Sequence, residues 1–159
     1  MIQCIFENGS KVSLRHVTVG ALAINDKDEV LLVKRDPSIH MGGKYTIPGG
    51  FLDRGEDAAE ATLRELKEES GYNGKVIRLI QVNDSPLRPK EDRQNVDLIF
   101  LVKVMGNREK HDKEVSDVSW FSEESLPSDK EFAFDHRDLI IRFFKNKEKD
   151  FNIPILGKI

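Results

Sequence analysis

Gly50 to Tyr72 reads GFLDRGEDAAEATLRELKEESGY, and this stretch decides the fold. From Asp57 onward the pattern is helical: Ala59, Leu63 and Leu66 fall on one apolar stripe, with strong helix formers between them. Asp57 followed three residues later by Glu60 is a capping-box signature, and Gly71 suits the left-handed position just past a helix end. On the side opposite the stripe, Glu65, Glu68 and Glu69 stand at i, i+3 and i+4, so three carboxylates share one face. Like charges at these spacings repel by roughly a few tenths of a kcal/mol per pair on an exposed helix. A divalent cation reverses that cost, and hard oxygen ligands without nearby His or Cys favour Mg²⁺ or Mn²⁺ over zinc. A glutamate-rich helix face taken alone is more often solvated surface. What changes the odds is the preceding turn, Gly49 to Glu56, whose glycines let backbone approach the helix closely.

Gly50, Glu56, Arg64-Glu65-Leu66, Glu68-Glu69 and Gly71-Tyr72 together resemble the complete signature of the Nudix hydrolases, departing only at Tyr72, where the family usually has an aliphatic residue. The surroundings are similar to the family too. Val30 to Arg35 precedes a loop, Tyr45-x-Ile47-Pro48-Gly49-Gly50 enters the box, and Val118-Ser119-Trp120-Phe121 is followed by Leu126-Pro127. The resemblance spans roughly 17–127 and implies metal-assisted attack of water on a diphosphate linked to some group X, with Mg²⁺ as cofactor and Mn²⁺ as a substitute. It implies that Glu65, Glu68, Glu69 and Gly50 hold the metal and that Arg64 orients the carboxylates. Glu56 becomes a supporting ligand or a helix-start anchor. The general base is Glu65, Glu68 or a glutamate outside the box, for which Glu114, ahead of Trp120, is the candidate. Asp97, which interrupts an apolar strand, is a weaker one.

For substrate contacts the resemblance points to Gly49 and to Arg35, whose guanidinium suits a phosphate. Arg88 and Arg93, on the polar loop 83–93, are further candidates. Pro86 falls where ADP-ribose-cleaving relatives have a proline, which inclines the reading towards ADP-ribose or a nucleoside diphosphate sugar. A nucleoside triphosphate, such as an oxidised dNTP, is the alternative. Removal of a nucleotide cap from RNA ranks third, and a non-catalytic nucleotide sensor is the reading from another class; it predicts a damaged box. Phe132, Phe134 and His136 either pack the start of the last helix or cover a base, and packing is the commoner role. His16, His40, His111 and His136 show no metal-ligand spacing.

The rest of the chain fits around this segment. Ile2–Phe6 and Lys11–Leu14 flank Asn8-Gly9 as a hairpin, an element through which many related proteins pair, so a homodimer is one option while the oligomeric state itself is not readable from the sequence. His16–Ile24 and Val30–Lys34 form a second hairpin, Tyr45–Ile47 a short strand that Pro48-Gly49-Gly50 breaks, and Val76–Val82, Val96–Val104 and Val115–Phe121 further strands. Leu139, Ile140, Phe143 and Phe144 place an amphipathic helix at 135–147. Strands interrupted by one helix and closed by another make an α/β (α+β) fold, an α/β/α sandwich on a mixed sheet, in a single domain over 1–159. A net charge of −3 gives no cationic footprint for nucleic acid. One cysteine, Cys4, allows no internal disulfide, residues 1–7 lack the basic start and long apolar core expected of a signal peptide, and no apolar run approaches membrane-spanning length. A small nucleotide ligand, no membrane and a cytoplasmic location are therefore expected.

Overall fold

The computed structural model describes residues 2–88, 94–110, 114–146 and 155–156. Helix α1, Ala58–Ser70, starts at an extended Asp57 whose carboxylate accepts the Ala59 and Glu60 N–H groups at 2.9 Å. The Glu60 carboxylate accepts the Asp57 N–H in return, also at 2.9 Å, which completes the capping box. Gly71 ends the helix at φ 75°, its N–H donating to Lys67 O. A Cβ there would lie 2.2 Å from Glu109 O, so the position demands glycine for space as well as for conformation.

Strands β1 (Ile2–Ile5) and β2 (Lys11–Leu14) form a separate two-stranded sheet turned at Asn8-Gly9. The main sheet contains β3 (Val17–Ile24), β4 (Val30–Arg35), β5 (Tyr45–Thr46), β6 (Gly49–Phe51), β7 (Asn73–Asn83), β8 (Val96–Met105), β9 (Val115–Phe121) and β10 (Ile155–Leu156). Its path runs β10-β7-β8-β3-β4-β5, with β6 paired to β3 and β9 to β4. The sheet is mixed, since β3–β8 and β10–β7 are parallel and the other pairings antiparallel. Along one edge β3 pairs with β8 over its whole length, while along the other its first residues face β6 and Ile24 faces Val30 of β4.

Alternation along β3 and β4 creates the two faces of the sandwich. Ala21, Ala23 and Leu31 point towards α1 and meet Leu66 and Val102. Leu22, Ile24, Val30 and Leu32 point the other way, onto Leu139, Ile140, Phe143 and Phe144 of helix α2, His136–Asn146. Each large side chain buried there contributes about 1.5–3 kcal/mol. The small alanines on the first face let α1 sit close to the sheet, which fixes its glutamates relative to β3 and β6. Among the described residues, no helix is long and apolar enough to cross a membrane.

Three local expectations need revision. The strand at Tyr45 does break ahead of Pro48, but Gly49-Gly50 then forms a separate strand, β6, with Gly49 opposite Gly20, and a Cβ on Gly49 would come 2.3 Å from Val19 O. The buried face of α1 comprises Ala61, Thr62, Leu66 and Ser70, with Leu63 only partly covered. Thr62 and Ser70 can be buried because their hydroxyls donate to Ala58 O and Leu66 O, one turn back. Finally β10, parallel to Gln81 and Val82 of β7, has only two residues and leaves no periodic trace in the sequence.

Candidate active site

A cleft of about 340 Å³ opens where β3, β6 and α1 meet. Box residues Gly49, Gly50, Glu65 and Glu69 line it, and so do Arg35, Arg88 and Glu114 from outside the box. These seven, all singled out from the sequence, are thus brought to one place. Arg64 and Glu68 lie beside it on the same helix, and Arg93 lies outside the described residues.

Arg64 organises the box. Its Nε and Nη2 donate to Glu56 at 3.0 and 2.7 Å, its Nη1 to Glu65 at 2.8 Å and Glu68 at 3.1 Å, and its Nη2 also to Phe51 O at 3.1 Å. One guanidinium therefore ties the helix to the loop that precedes it. Held by Arg64 and by the Asp53 N–H, Glu56 is drawn down to about 2. Those contacts fit the helix-start anchor, one of the two roles expected for it. The three carboxylates at its end, Glu56 first, push the Arg64 guanidinium above its ordinary value.

The box glutamates separate by environment. Glu68 is 45% exposed and bound to Arg64 at the outer edge. Glu65 faces inward, and burial pushes its carboxyl up, partly offset by Arg64. Glu69 accepts the Gly49 N–H at 2.9 Å, and burial pushes it up to about 8 against that hydrogen bond, with the Glu65 and Glu114 charges adding and Arg35 opposing. Gly50 packs on Glu65 so tightly that a Cβ would sit 2.4 Å from Glu65 Oε1. Among the described residues no three His, Cys, Asp or Glu side chains stand as a ready metal site, because Arg64 and Gly49 engage the box carboxylates. The donor set nevertheless fits a hard cation: all ligating atoms are carboxylate oxygens, and Glu65 and Glu69 are held in a state that positive charge would relieve.

Arg35 ends β4 at the cleft. Its Nε donates to His40 O and its guanidinium lies 5.7 Å from the Phe134 ring centre, while its Nη nitrogens have no hydrogen-bond partner among the described residues. Glu114 is exposed at the cleft mouth. The phosphate role expected for Arg88 finds no support. Its side chain is only 5% exposed; Nη1 contacts Asp97 at 3.0 Å, Nε and Nη2 donate to Asp135 at 2.9 and 2.7 Å, and Nη2 reaches His136 Nε2 at 3.2 Å. Two carboxylates have already neutralised it, and the burial cost is offset by those partners. Asp97, whose orientation the sequence left open, faces this cleft and also accepts the Thr18 hydroxyl at 2.9 Å. Pro86 is exposed in a turn and does not line the cleft.

Sequence reasoning passed over Thr18, Thr46 and Asn95 and grouped Phe132 with Phe134 and His136. In the structure Phe132 is wholly buried core, whereas Phe134 and His136 line the cleft. His136 is buried between Thr46 Oγ1, 2.7 Å from Nδ1, and Arg88. Burial first and the Arg88 charge second lower it to about 4. A neutral ring with Nε2 accepting from Arg88 and Nδ1–H donating to Thr46 satisfies this chain.

A model of the NUDIX domain family matches residues 14–143. The chain is 33% identical over 133 residues to an ADP-ribose pyrophosphatase of Methanocaldococcus jannaschii, covering 83% of this chain and 76% of the relative. It is 35% identical over 143 residues to a putative 8-oxo-dGTP diphosphatase of Bacillus subtilis, covering 87% of each. Among solved structures, a NUDIX hydrolase from Nitrosomonas europaea superposes with a TM-score of 0.80 at 23% identity, over 99% of this chain and 93% of that one.

Proposed function

This chain belongs to the NUDIX family of hydrolases, and from that premise we propose that it cleaves the diphosphate linkage of a nucleoside diphosphate joined to a second group, ADP-ribose or a nucleoside diphosphate sugar being favoured. The observation that carries this reading is one cleft holding Glu65, Glu69, Glu114 and Arg35, with a wall of polar and aromatic groups around Asn95 and Phe134. Such a cleft has a place for the reacting diphosphate and a place for what is attached to it. An intact box with every glutamate oriented argues against a non-catalytic sensor.

Glu65 and Glu69, with Glu68 at the edge, are the residues that would hold Mg²⁺ or Mn²⁺. When bound, such a cation neutralises charge on phosphoryl oxygens and lowers the pKa of coordinated water. Arg64 keeps Glu65 and Glu68 aimed, and the Gly49 N–H fixes the rotamer of Glu69. Arg35 offers its Nη nitrogens to a phosphate. Glu114 takes the proton of the attacking water: its carboxylate has no hydrogen-bond partner among the described residues, whereas Glu65, Glu68 and Glu69 each already accept a hydrogen bond.

A second reading, hydrolysis of an oxidised nucleoside triphosphate, is favoured by the name of the Bacillus subtilis relative. One experiment separates the two. Purified protein is given ADP-ribose, NADH, diadenosine polyphosphates, nucleoside diphosphate sugars and nucleoside triphosphates with Mg²⁺ or Mn²⁺, and products are resolved by chromatography. Cleavage of ADP-ribose or a sugar conjugate to a nucleoside monophosphate, lost with EDTA, is the expected result. Preference for triphosphates with diphosphate release selects the second reading, and binding without cleavage of any member would overturn both.

A further inference from the structure

Away from the glutamates, the cleft wall is a closed hydrogen-bond network with one group left over. Asp97 is taken by Arg88 and Thr18, Asp135 by Arg88 and Asn83, and His136 by Arg88 and Thr46. Asn95 stands two residues before Asp97 on the same face of the chain and lines the cleft. It is 8% exposed, and its side-chain Oδ1 has no hydrogen-bond partner among the described residues. Among the described residues that line the cleft, Asn95 alone has a buried side-chain atom in that condition. A buried acceptor without a donor costs free energy and calls for an explanation, which at a cleft wall is a ligand or an ordered water that supplies the donor. Its position is also enforced from outside, since Arg15 donates to the carbonyls of Asp84, Gln94 and Asn95 and so pins both ends of the loop.

Phe134 provides an independent observation. It sits at φ 54°, a conformation that glycine tolerates and a bulky side chain rarely adopts. Its ring reaches the cleft flanked by His136 at 5.6 Å and His40 at 6.3 Å, with Arg35 at 5.7 Å. Two further non-glycine residues at positive φ, Met41 and Gln94, are immediate neighbours of His40 and Asn95. Of these three, Phe134 lines the cleft itself and the other two adjoin in sequence residues that line it, which fits backbone strain retained for a site.

We infer that Phe134 and Asn95 form a specificity subsite for the flat ring of the nucleoside: the Phe134 face stacks on the ring, and Asn95 Oδ1 accepts from an N–H on its edge. The inference rests on the reading of the cleft as a nucleotide site and deepens it. His136 flanks the Phe134 ring, while Asp97, Asp135 and His136 are engaged with Arg88, Thr18, Asn83 and Thr46, so Asn95 Oδ1 is the acceptor left without a donor.

The test is calorimetric binding of AMP, GMP, CMP and UMP, with purine riboside 5′-monophosphate as a ring lacking edge donors and ribose 5-phosphate as a probe with no ring. Phe134→Gly suits the positive φ, so the ring is lost without adding backbone strain; Phe134→Trp restores a stacking face, and thermal unfolding checks the fold of each. Phe134→Gly should weaken the preferred nucleotide roughly 5- to 150-fold, the equivalent of about 1–3 kcal/mol per stacked base, with recovery in the Trp variant. Asn95→Leu should abolish the preference for that nucleotide over the donorless ring. Ribose 5-phosphate should bind all variants alike. Unchanged nucleotide binding in both variants, or equal weakening of ribose 5-phosphate, overturns the subsite. Phe134-dependent nucleotide binding with no hydrolysis of any diphosphate would leave the subsite standing and sink the proposed reaction, whereas hydrolysis of nucleotide substrates indifferent to both residues would do the reverse.

Discussion

Replacing Arg88 with methionine tests whether this arginine is a buried tie or a substrate clamp. The variant keeps most of the side-chain volume and removes the cation from between Asp97 and Asp135, whose side chains are 7% and 10% exposed. Thr18 still serves Asp97 and Asn83 still serves Asp135, but neither supplies positive charge. Removing one partner of a buried ion pair costs about 3–5 kcal/mol, most of it from the charge left behind. For a domain of this size that is a fall in Tm of roughly 6–20 °C. The pH dependence has a definite sign. In the wild type Asp135 is held below its ordinary value: burial alone would raise it, but the Arg88 hydrogen bond and charge outweigh that. Its stability contribution is therefore present above the unfolded value of 3.8 and lost as pH falls through the lower folded value. In the variant burial is unopposed by Arg88 and raises the carboxyl, so the charged form is penalised at neutral pH and protonation relieves it. The gap between wild type and variant should therefore be widest near pH 7 and narrow towards about pH 4. Urea unfolding of wild type, Arg88→Met and Arg88→Met/Asp97→Asn at both pH values measures this, and the double variant should recover at least about 1 kcal/mol. A loss under about 1 kcal/mol combined with a large rise in KM would refute the reasoning and return Arg88 to the role of phosphate ligand.

Other perturbations separate the glutamates and the glycines. Glu69→Gln should lower turnover by roughly 10²-fold or more while Tm shows a folded protein, since the neutral amide cannot balance a cation; activity within a fewfold of wild type would remove Glu69 from the metal site. Glu114→Gln should lower kcat by roughly 10²- to 10⁴-fold with KM little changed, and a negligible effect would move the base into the box. In Gly50→Ala the new methyl must displace the Glu65 carboxylate, so activity should fall by about 10²-fold, as for a misplacement of about 1 Å, with little loss of Tm; an active variant would show that Glu65 needs no fixed position. The β1–β2 hairpin leaves Ile5, Phe6 and Leu14 exposed, and two strands alone are marginal in water. Light scattering with and without residues 1–14 should show a dimer become a monomer, and an unchanged mass would exclude pairing through the hairpin.

The parts of the fold legible in the sequence are those governed by local chemistry. Helix α1 could be bounded because Asp57, Glu60 and Gly71 act on backbone groups within a few residues, and β9 because Val115–Phe121 is a short β-rich run bounded by polar segments. The box glutamates were legible because i, i+3 and i+4 on a helix is a geometric statement. What could not be read depends on residues distant in the chain. Arg88 meets Asp97 and Asp135 across separations of 9 and 47 residues, so its neutralisation leaves no local mark and a loop arginine passes for a phosphate ligand. Phe132 and Phe134 are two residues apart in one aromatic run, yet only the fold shows that one enters the core and the other the cleft. The strand β6 was hidden because glycine pairs, which usually break strands, here permit one to lie close against β3.

The distribution of compensating charge in the box explains why these glutamates are not merely a solvated face. Arg64 reaches Glu65 and Glu68 and relieves their mutual repulsion. It makes no hydrogen bond to Glu69, which accepts a neutral N–H from Gly49 while lying in the fields of Glu65 and Glu114, with the Arg35 charge opposing them. A helix selected for stability alone would place an apolar or amide side chain at such a half-buried position, because a carboxylate there is penalised by loss of water and by its two anionic neighbours. The liability disappears when positive charge enters between Glu69, Glu65 and Glu114. The repulsion concentrated at this point is thus a driving force for taking up a cation, a step in which Glu65 and Glu68 would give up part of their hydrogen bonding to Arg64.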